Sequence, residues 1–378
     1  MSDQIEGKKR TIGIAQPYIG DEEKQAVMAV LDSGQLVQGA QVAEFEQAFA
    51  AYCNAEHAIA TTNGTTALTV ALMAAGIGQD DEVIIPSFTF VATATSVLSV
   101  GAKPVFVDIE PETFCLDPAQ IESAITERTR AIMPVHLYGH PANIPAMKAI
   151  ADKYDLVIIE DAAQAHGAAI GEQRAGTLGD MAAFSFYPSK NMTTGEGGMV
   201  VTNDETLANK ARMARNHGMN TRYFHETLGL NYRMTNVLAA IGIEQLKRVQ
   251  AWNQKRIENA HYLNAHLTSV RTPPTTENYR HVFHQYTVLA PEGADRDAMV
   301  KQLNDNGVGA RIYYPLPVHC QPVFRTAQPG TTCACGHGLD CPVLPVTNAM
   351  TKRVFSLPVH PFLSQEDLDY IIEYVNAL

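Results

Sequence analysis

The sequence predicts an α/β fold: a mostly parallel sheet wrapped by helices, with a smaller C-terminal α+β domain. Three observations carry this reading. Short apolar runs alternate with helix-length segments through the middle of the 378-residue chain, the pattern of a sheet built from crossover units. Those runs lack polar alternation, as strands do when both sheet faces are covered. Beyond about Thr272 the texture changes, with prolines and histidines clustering between short strands.

Taken in order, Asp21–Ser33 and Val42–Cys53 read as amphipathic helices, and Gly64–Ala75 as a buried one. Strand signatures, rich in β-branched or aromatic residues and bounded by Pro, Gly or charge, follow. They are Glu82–Pro86, Pro104–Asp108, Ala131–Val135, Leu156–Asp161, Ala182–Phe186 and Met199–Thr202. Val91–Val100, Pro118–Thr126 and Ile144–Lys153 are each about a helix long. Val237–Val270 carries a long helical pattern of the kind that links domains. The boundary is placed inside it, giving a large domain at residues 1–250 and a small one at 251–378. The small one holds a strand at Gln285–Leu289 and ends in a helix at Ser364–Ala377.

Composition narrows the function. Hydrophobic residues make up 46% and charged ones 18%, which is globular usage. The net charge of -12 argues against a nucleic-acid partner held by phosphate neutralisation. No apolar stretch follows the basic residues near the start, and the weakly polar run Ser87–Ala102 reads as a buried helix. No secretory signal and no membrane association are therefore expected, and a cytoplasmic location is. Six cysteines in a chain this long form no disulfide framework.

Four segments could carry chemistry. Ser185–Gly198 leaves a strand and runs through Lys190 into a glycine-rich turn. A lysine in a partly desolvated site becomes a carbonyl-trapping nucleophile, although a surface lysine beside a β-turn fits the same letters. Asp161 ends an apolar strand, where open α/β sheets bind ligands, and a carboxylate there can hold a pyridinium nitrogen protonated. It could equally cap the next helix, with Gln164 completing either arrangement. Asn63-Gly64-Thr65-Thr66 opens a helix and offers a phosphate its free N–H groups, or is an ordinary cap. In Phe88-Thr-Phe90 one ring could stack on a planar cofactor, against core packing as the plainer role.

In chain order these supply a phosphate cradle, a ring stacker, a nitrogen partner and a Schiff-base lysine. The chain lacks G-x-G-x-x-G after its first strand, a Walker lysine and G-x-S-x-G. The combination reads as pyridoxal phosphate chemistry.

From about Ile14 to the C-terminus the sequence resembles the DegT/DnrJ/EryC1/StrS family of sugar aminotransferases, which are fold-type-I pyridoxal 5'-phosphate enzymes. The resemblance rests on NGTTAL, EVIIPSFTFVATA, KPVFVDI, IIEDAAQAHGA, GDMAAFSFYPSKNMTTGEGGMV, RNHGM, GLNYRMTNVLAAIGIEQL, RIYYPLPVH and FSLPVHP, in that order. It implies that Lys190 forms the internal aldimine and shuttles protons, and that Asp161 partners the pyridine nitrogen. It places Gln164 near the phenolic oxygen, Gly64, Thr65, Thr66 and Ser185 around the phosphate, and Phe90 on the ring. Asn231 matches a residue that reaches the neighbouring subunit's phosphate, so the resemblance implies an obligate homodimer with shared sites. His217, Arg233, Arg311, Tyr313, Tyr314 and His319 lie where relatives gather substrate contacts, and His166 has similar standing.

The implied reaction takes an amino group from L-glutamate, leaving 2-oxoglutarate, and gives it to a ketone-bearing nucleotide sugar in two ping-pong half-reactions. TTGEGG after Lys190 is similar to members that aminate a C4 ketone, so a nucleotide-linked 4-keto-6-deoxy sugar is the expected acceptor. A keto-cyclitol acceptor would use the same cofactor motifs. A binding-only regulator would need neither Lys190 nor Asp161. Cys333, Cys335, His337 and Cys341 could ligate zinc, but their spacing is not a standard finger, and no metal is assigned.

Overall fold

The computed structural model describes residues 10–324 and 342–378. The Cys333, Cys335, His337 and Cys341 group lies outside the described residues. Among the described residues no helix is long and apolar enough to cross a membrane.

Helices α1 (Asp21–Ser33) and α2 (Ala40–Cys53) precede β1 (His57–Thr61) and α3 (Gly64–Ala74). Next come β2 (Glu82–Pro86), α4 (Ala92–Ser99), β3 (Lys103–Val107), β4 (Thr129–Ile132), α5 (Ile144–Tyr154) and β5 (Val157–Asp161). A two-strand ribbon, β6 (Ala169–Ile170) and β7 (Gln173–Arg174), separates β5 from β8 (Met181–Ser185) and β9 (Gly198–Thr202). Helices α6 (Glu205–Arg215) and α7 (Asn236–His266) follow.

Seven strands form the main sheet in the order β1-β9-β8-β5-β4-β2-β3. Strands β3, β2, β4, β5 and β8 run parallel, whereas β9 is antiparallel to both β8 and β1. The expected mostly parallel sheet is present. Alternate strand residues enter opposite cores: Ile84, Ile132, Ile158 and Ala182 face one, while Ile85, Ala131, Ile159 and Ala183 face the other. Helices α2 and α5 cover the first face through Phe45, Phe49 and Met147. Helices α3, α4 and α6 cover the second through Leu68, Val97 and Ala208. That double cover is why these strands are apolar throughout.

A third core gathers Ile12, Leu263, Tyr286, Phe355 and Ile371. Helix α7 supplies Val249 to the first core and Ala260 and Leu263 to the third, so one continuous helix crosses residue 250. The segment at Ile12 joins the third core too, bridging Val308.

Two expectations need correction. Pro118–Thr126 is not one helix but two 3-10 turns, Pro118–Gln120 and Glu122–Ala124. Only Ile121 is buried there, so no apolar stripe exists to hold a longer helix down. Within Ser87–Ala102, residues 87–91 form a loop and only Ala92–Ser99 is α-helical. That loop lies over the site described next.

Candidate active site

The carboxyl ends of β5 and β8 lie side by side, with Asp161 paired to Ala183 in register. Asp161 is buried, and its Oδ2 accepts a 2.7 Å hydrogen bond from the Thr93 hydroxyl in α4. That commits the one Thr93 hydroxyl proton, so the Thr89 hydroxyl donates to Thr93 at 2.9 Å. The Ala163 N–H donates to Oδ1 at 3.2 Å. Burial still pushes the Asp161 carboxyl above its ordinary range, against these bonds and the nearby Lys190.

Lys190 sits in the loop from Phe186 to Gly197, which leaves the rim on β8 and returns on β9. The Phe186 N–H donates to the Gly197 carbonyl at 2.8 Å and the Thr194 N–H to the Phe186 carbonyl at 3.0 Å, closing the loop's base. Within it the Lys190 N–H donates to the Tyr187 carbonyl at 2.9 Å. The residue keeps some exposed area along its length. Its ammonium is nonetheless desolvated, which pulls the pKa down to about 8, while Asp161 pulls the other way. Desolvation wins, so a large neutral fraction exists near pH 8.

The third part lies where α3 starts. Asn63 caps the helix by accepting from the Thr66 N–H at 2.9 Å. Among the described residues the Gly64 and Thr65 N–H groups donate to no protein acceptor. Ser185, at the end of β8, packs directly on Gly64: a Cβ at that position would lie 2.6 Å from the Ser185 Cβ. The Thr66 hydroxyl bonds back to Asn63 and to Thr62. Thr66 therefore serves the cap, and the free donors are the backbone of Gly64 and Thr65.

Around these parts, Phe90 is 54% exposed, whereas Phe88 is 1% exposed and packs on Phe114 and Tyr138. Only Phe90 has a ring face to offer a ligand. Gln164 accepts from the Tyr138 N–H at 2.7 Å and donates to the Tyr314 hydroxyl at 3.3 Å. The Tyr138 hydroxyl donates to the Tyr313 carbonyl. Tyr138 thus ties Gln164 to the Tyr313–Tyr314 segment, and the sequence reading missed it. Its positive φ of 58° has no signature in a tyrosine, and its partners are remote in sequence.

The other candidates divide. Asn231 and His217 are exposed, Arg233 donates to Asn216 at 2.7 Å, and Asn216 bridges Asn231. These lie on one ribbon, which meets the start of α3 through the Thr62 N–H and the Tyr232 carbonyl at 3.0 Å. His319 is buried, its Nδ1 2.5 Å from the Ser87 hydroxyl, and it packs on Phe106. Arg311 is exposed, bonded to Asn304 at 3.1 Å and paired in register with Ser356. His166 is fully buried among Phe49, Phe184 and Phe186, with its pKa pushed down to about 3 by burial. It is a neutral core side chain.

The family model described as the DegT/DnrJ/EryC1/StrS aminotransferase family matches residues 17–376. The chain belongs to that family. It is an aminotransferase. The chain is similar to a pleiotropic regulatory protein of Geobacillus stearothermophilus (42% identity, 94% of this chain and 95% of the relative). It is equally similar to GDP-perosamine synthase of Caulobacter vibrioides (42%, 97% and 98%). Among solved structures, the PLP form of the putative sugar aminotransferase Spr1654 from Streptococcus pneumoniae superposes with a TM-score of 0.89. That pair shares 26% identity over 97% of this chain and 98% of the other.

The residues present fit pyridoxal 5'-phosphate. The Ser185 hydroxyl brought close to the start of α3 by Gly64, with unclaimed N–H groups beside it, suits a phosphate. A desolvated lysine beside a buried carboxylate suits an aldehyde and a pyridine nitrogen.

Two outcomes follow from this geometry. Gly64→Ala drives a methyl group into Ser185, so affinity for pyridoxal phosphate should fall by about tenfold or more, ~1.4 kcal/mol. Circular dichroism should show the fold retained; unchanged affinity would remove the cradle. Lys190 loses its proton as pH rises through about 8. Capture of pyridoxal phosphate by the cofactor-free chain should therefore accelerate across that window and level off above it, which stopped-flow absorbance measures.

Proposed function

We propose that this aminotransferase carries pyridoxal 5'-phosphate on Lys190 and moves an amino group from L-glutamate to a nucleotide-linked keto sugar. The acceptor is a 4-keto-6-deoxy sugar, and the two half-reactions share one site. The observation that carries the reading is the desolvated Lys190 beside buried Asp161, at a rim that also holds the Gly64–Ser185 cradle. Bound there, the cofactor supplies an electron sink that accepts nitrogen from the donor and returns it to the acceptor.

The chain's own residues do the rest. Lys190 Nζ, near half-protonated at pH 8, takes a proton from the donor's α-carbon and delivers one to the acceptor carbon. Asp161, tied to Thr93 and Ala163, holds the ring nitrogen's proton. The Gly64 and Thr65 N–H groups and Ser185 bind phosphate, Gln164 orients the phenolic edge, and Phe90 covers a ring face. Tyr313 and Tyr314 border the sugar's position; His217, Arg233, Arg311 and His319 stand as further substrate contacts.

The family's relatives include a GDP-perosamine synthase, and TTGEGG after Lys190 favours amination at C4. A homodimer with shared sites is supported by the exposed ribbon that carries Asn231. It presents Tyr223, Phe224, Leu228 and Leu230 to solvent, more apolar surface than a monomer's ribbon ordinarily leaves bare. The binding-only reading has one point in its favour, the regulatory name of the Geobacillus relative. A pure binder has no use for a lysine desolvated to this degree.

The test is optical. The purified chain with pyridoxal phosphate should turn yellow, L-glutamate should bleach it, and the correct keto-sugar nucleotide should restore the colour. Lys190→Ala should lose transamination while remaining folded; retained turnover sinks the mechanism. For Asn231→Ala, the expected result is a cofactor that dialyses away about tenfold faster, the loss of one phosphate contact of ~1–2 kcal/mol. Retention equal to wild type would take Asn231 out of the site.

A further inference from the structure

Helix α7 buries Gln245, Asn253, Arg256 and Asn259 on the face it turns to the protein interior. Aliphatic side chains would pack there without penalty, whereas a buried polar group costs about 1–3 kcal/mol unless it is bonded. Each of the four reaches a different stretch of chain. Gln245 accepts from the Thr193 N–H at 3.3 Å and donates to the Tyr18 carbonyl at 2.9 Å. Arg256 donates to the carbonyls of Phe283 and His284, and Asn259 to those of Val359 and His360.

Asn253 is different in what it joins. Its Oδ1 accepts from the Asn191 amide at 2.7 Å, and its Nδ2 donates to the His166 carbonyl at 2.6 Å. Asn191 is the residue after Lys190. His166 closes the short loop that begins at Asp161 and carries Gln164. The Asn191 amide makes a second bond to the Val282 carbonyl at 3.2 Å, tying the link to a third stretch of chain. One fully buried amide is thus bonded to both loops that bear the chemistry. An amide is the neutral side chain of this length with an acceptor and a donor on one plane. Aspartate would set a carboxylate against the His166 carbonyl, and leucine would meet neither partner.

We propose that Asn253 is a positioning residue, whose amide holds the Lys190 loop against the Asp161–His166 loop and keeps water from the lysine. This rests on the reading that Lys190 captures pyridoxal phosphate. With the amide gone the Lys190 loop loosens, water reaches the ammonium, and its pKa climbs from about 8 toward the ordinary 10.5.

The experiment follows capture of pyridoxal phosphate by the cofactor-free full-length chain against pH, for wild type, Asn253→Leu and Asn191→Ala. The expected result is a midpoint raised by about half a unit or more in both variants. Turnover should fall about tenfold with each substrate's KM within about twofold, since misalignment rather than binding is at fault. Asn191→Ala breaks the same bond from the loop side, so it answers the question if Asn253→Leu does not fold. The double variant should lose clearly less than the sum of the two singles, because both remove one shared contact, although each also breaks a bond of its own, to Val282 or to His166. A lowered melting temperature with midpoint and kcat unchanged, or additive losses in the double variant, overturns the role. A wild type that captures no cofactor at any pH instead overturns the function proposed above, and this inference with it.

Discussion

The structure is organised around keeping an ammonium and a carboxylate together, out of water, with neither extinguished by a better partner. Asp161 and Lys190 each suffer desolvation that opposes their charged forms. A parallel sheet covered on both faces supplies such a place at the carboxyl ends of its strands. Asp161 rides directly on β5. Lys190 needs more reach than a strand end gives, and β9 provides it by turning back antiparallel and closing the Phe186–Gly197 loop at its base. The one reversed strand in an otherwise parallel stretch is the device that delivers the lysine.

Close approach at two glycines then draws the rim together. A Cβ on Gly198 would fall 2.2 Å from the Asn63 carbonyl oxygen, and one on Gly64 would fall on Ser185. The start of β9 therefore meets the start of α3 backbone to backbone, and only the Ser185 side chain lies between α3 and the end of β8. The glycines allow this approach while the α3 N–H groups stay open to a ligand.

Much of this was legible in the letters. Lys190 and Asp161 stand out because their chemistry follows apolar strands, and β2 coincides with Glu82–Pro86 because β-branched residues bounded by charge and turn signals leave little latitude. Strand β1 left no mark: His57–Thr61 is alanine-rich and is held by its ladder with β9 rather than by propensity. Roles set by remote partners were equally silent. His319 gives no hint in sequence that Ser87, 232 residues away, sits on its Nδ1. Tyr138 and Asn253 look ordinary in sequence, and polar residues on the buried face of α7 disguise which face that is.

The chemistry of the supports is as selective as their placement. The side-chain bonds that reach Asn191 and Thr193 beside Lys190 come from Asn253 and Gln245, both amides. His166 and His284, which lie close enough to bear on the lysine electrostatically, are both held neutral by burial. The nearest carboxylate in this wiring is Glu23, one step removed behind Gln245 and already engaged by Arg248. A carboxylate placed directly on the loop would stabilise the ammonium and return its pKa toward 10.5, since an opposite charge within ~4–6 Å favours the charged form. Neutral amides hold the loop just as firmly without that effect. The lysine is thereby left with Asp161 as the charge that matters to it, and α7 can fix the geometry of the site without adding a charge to it.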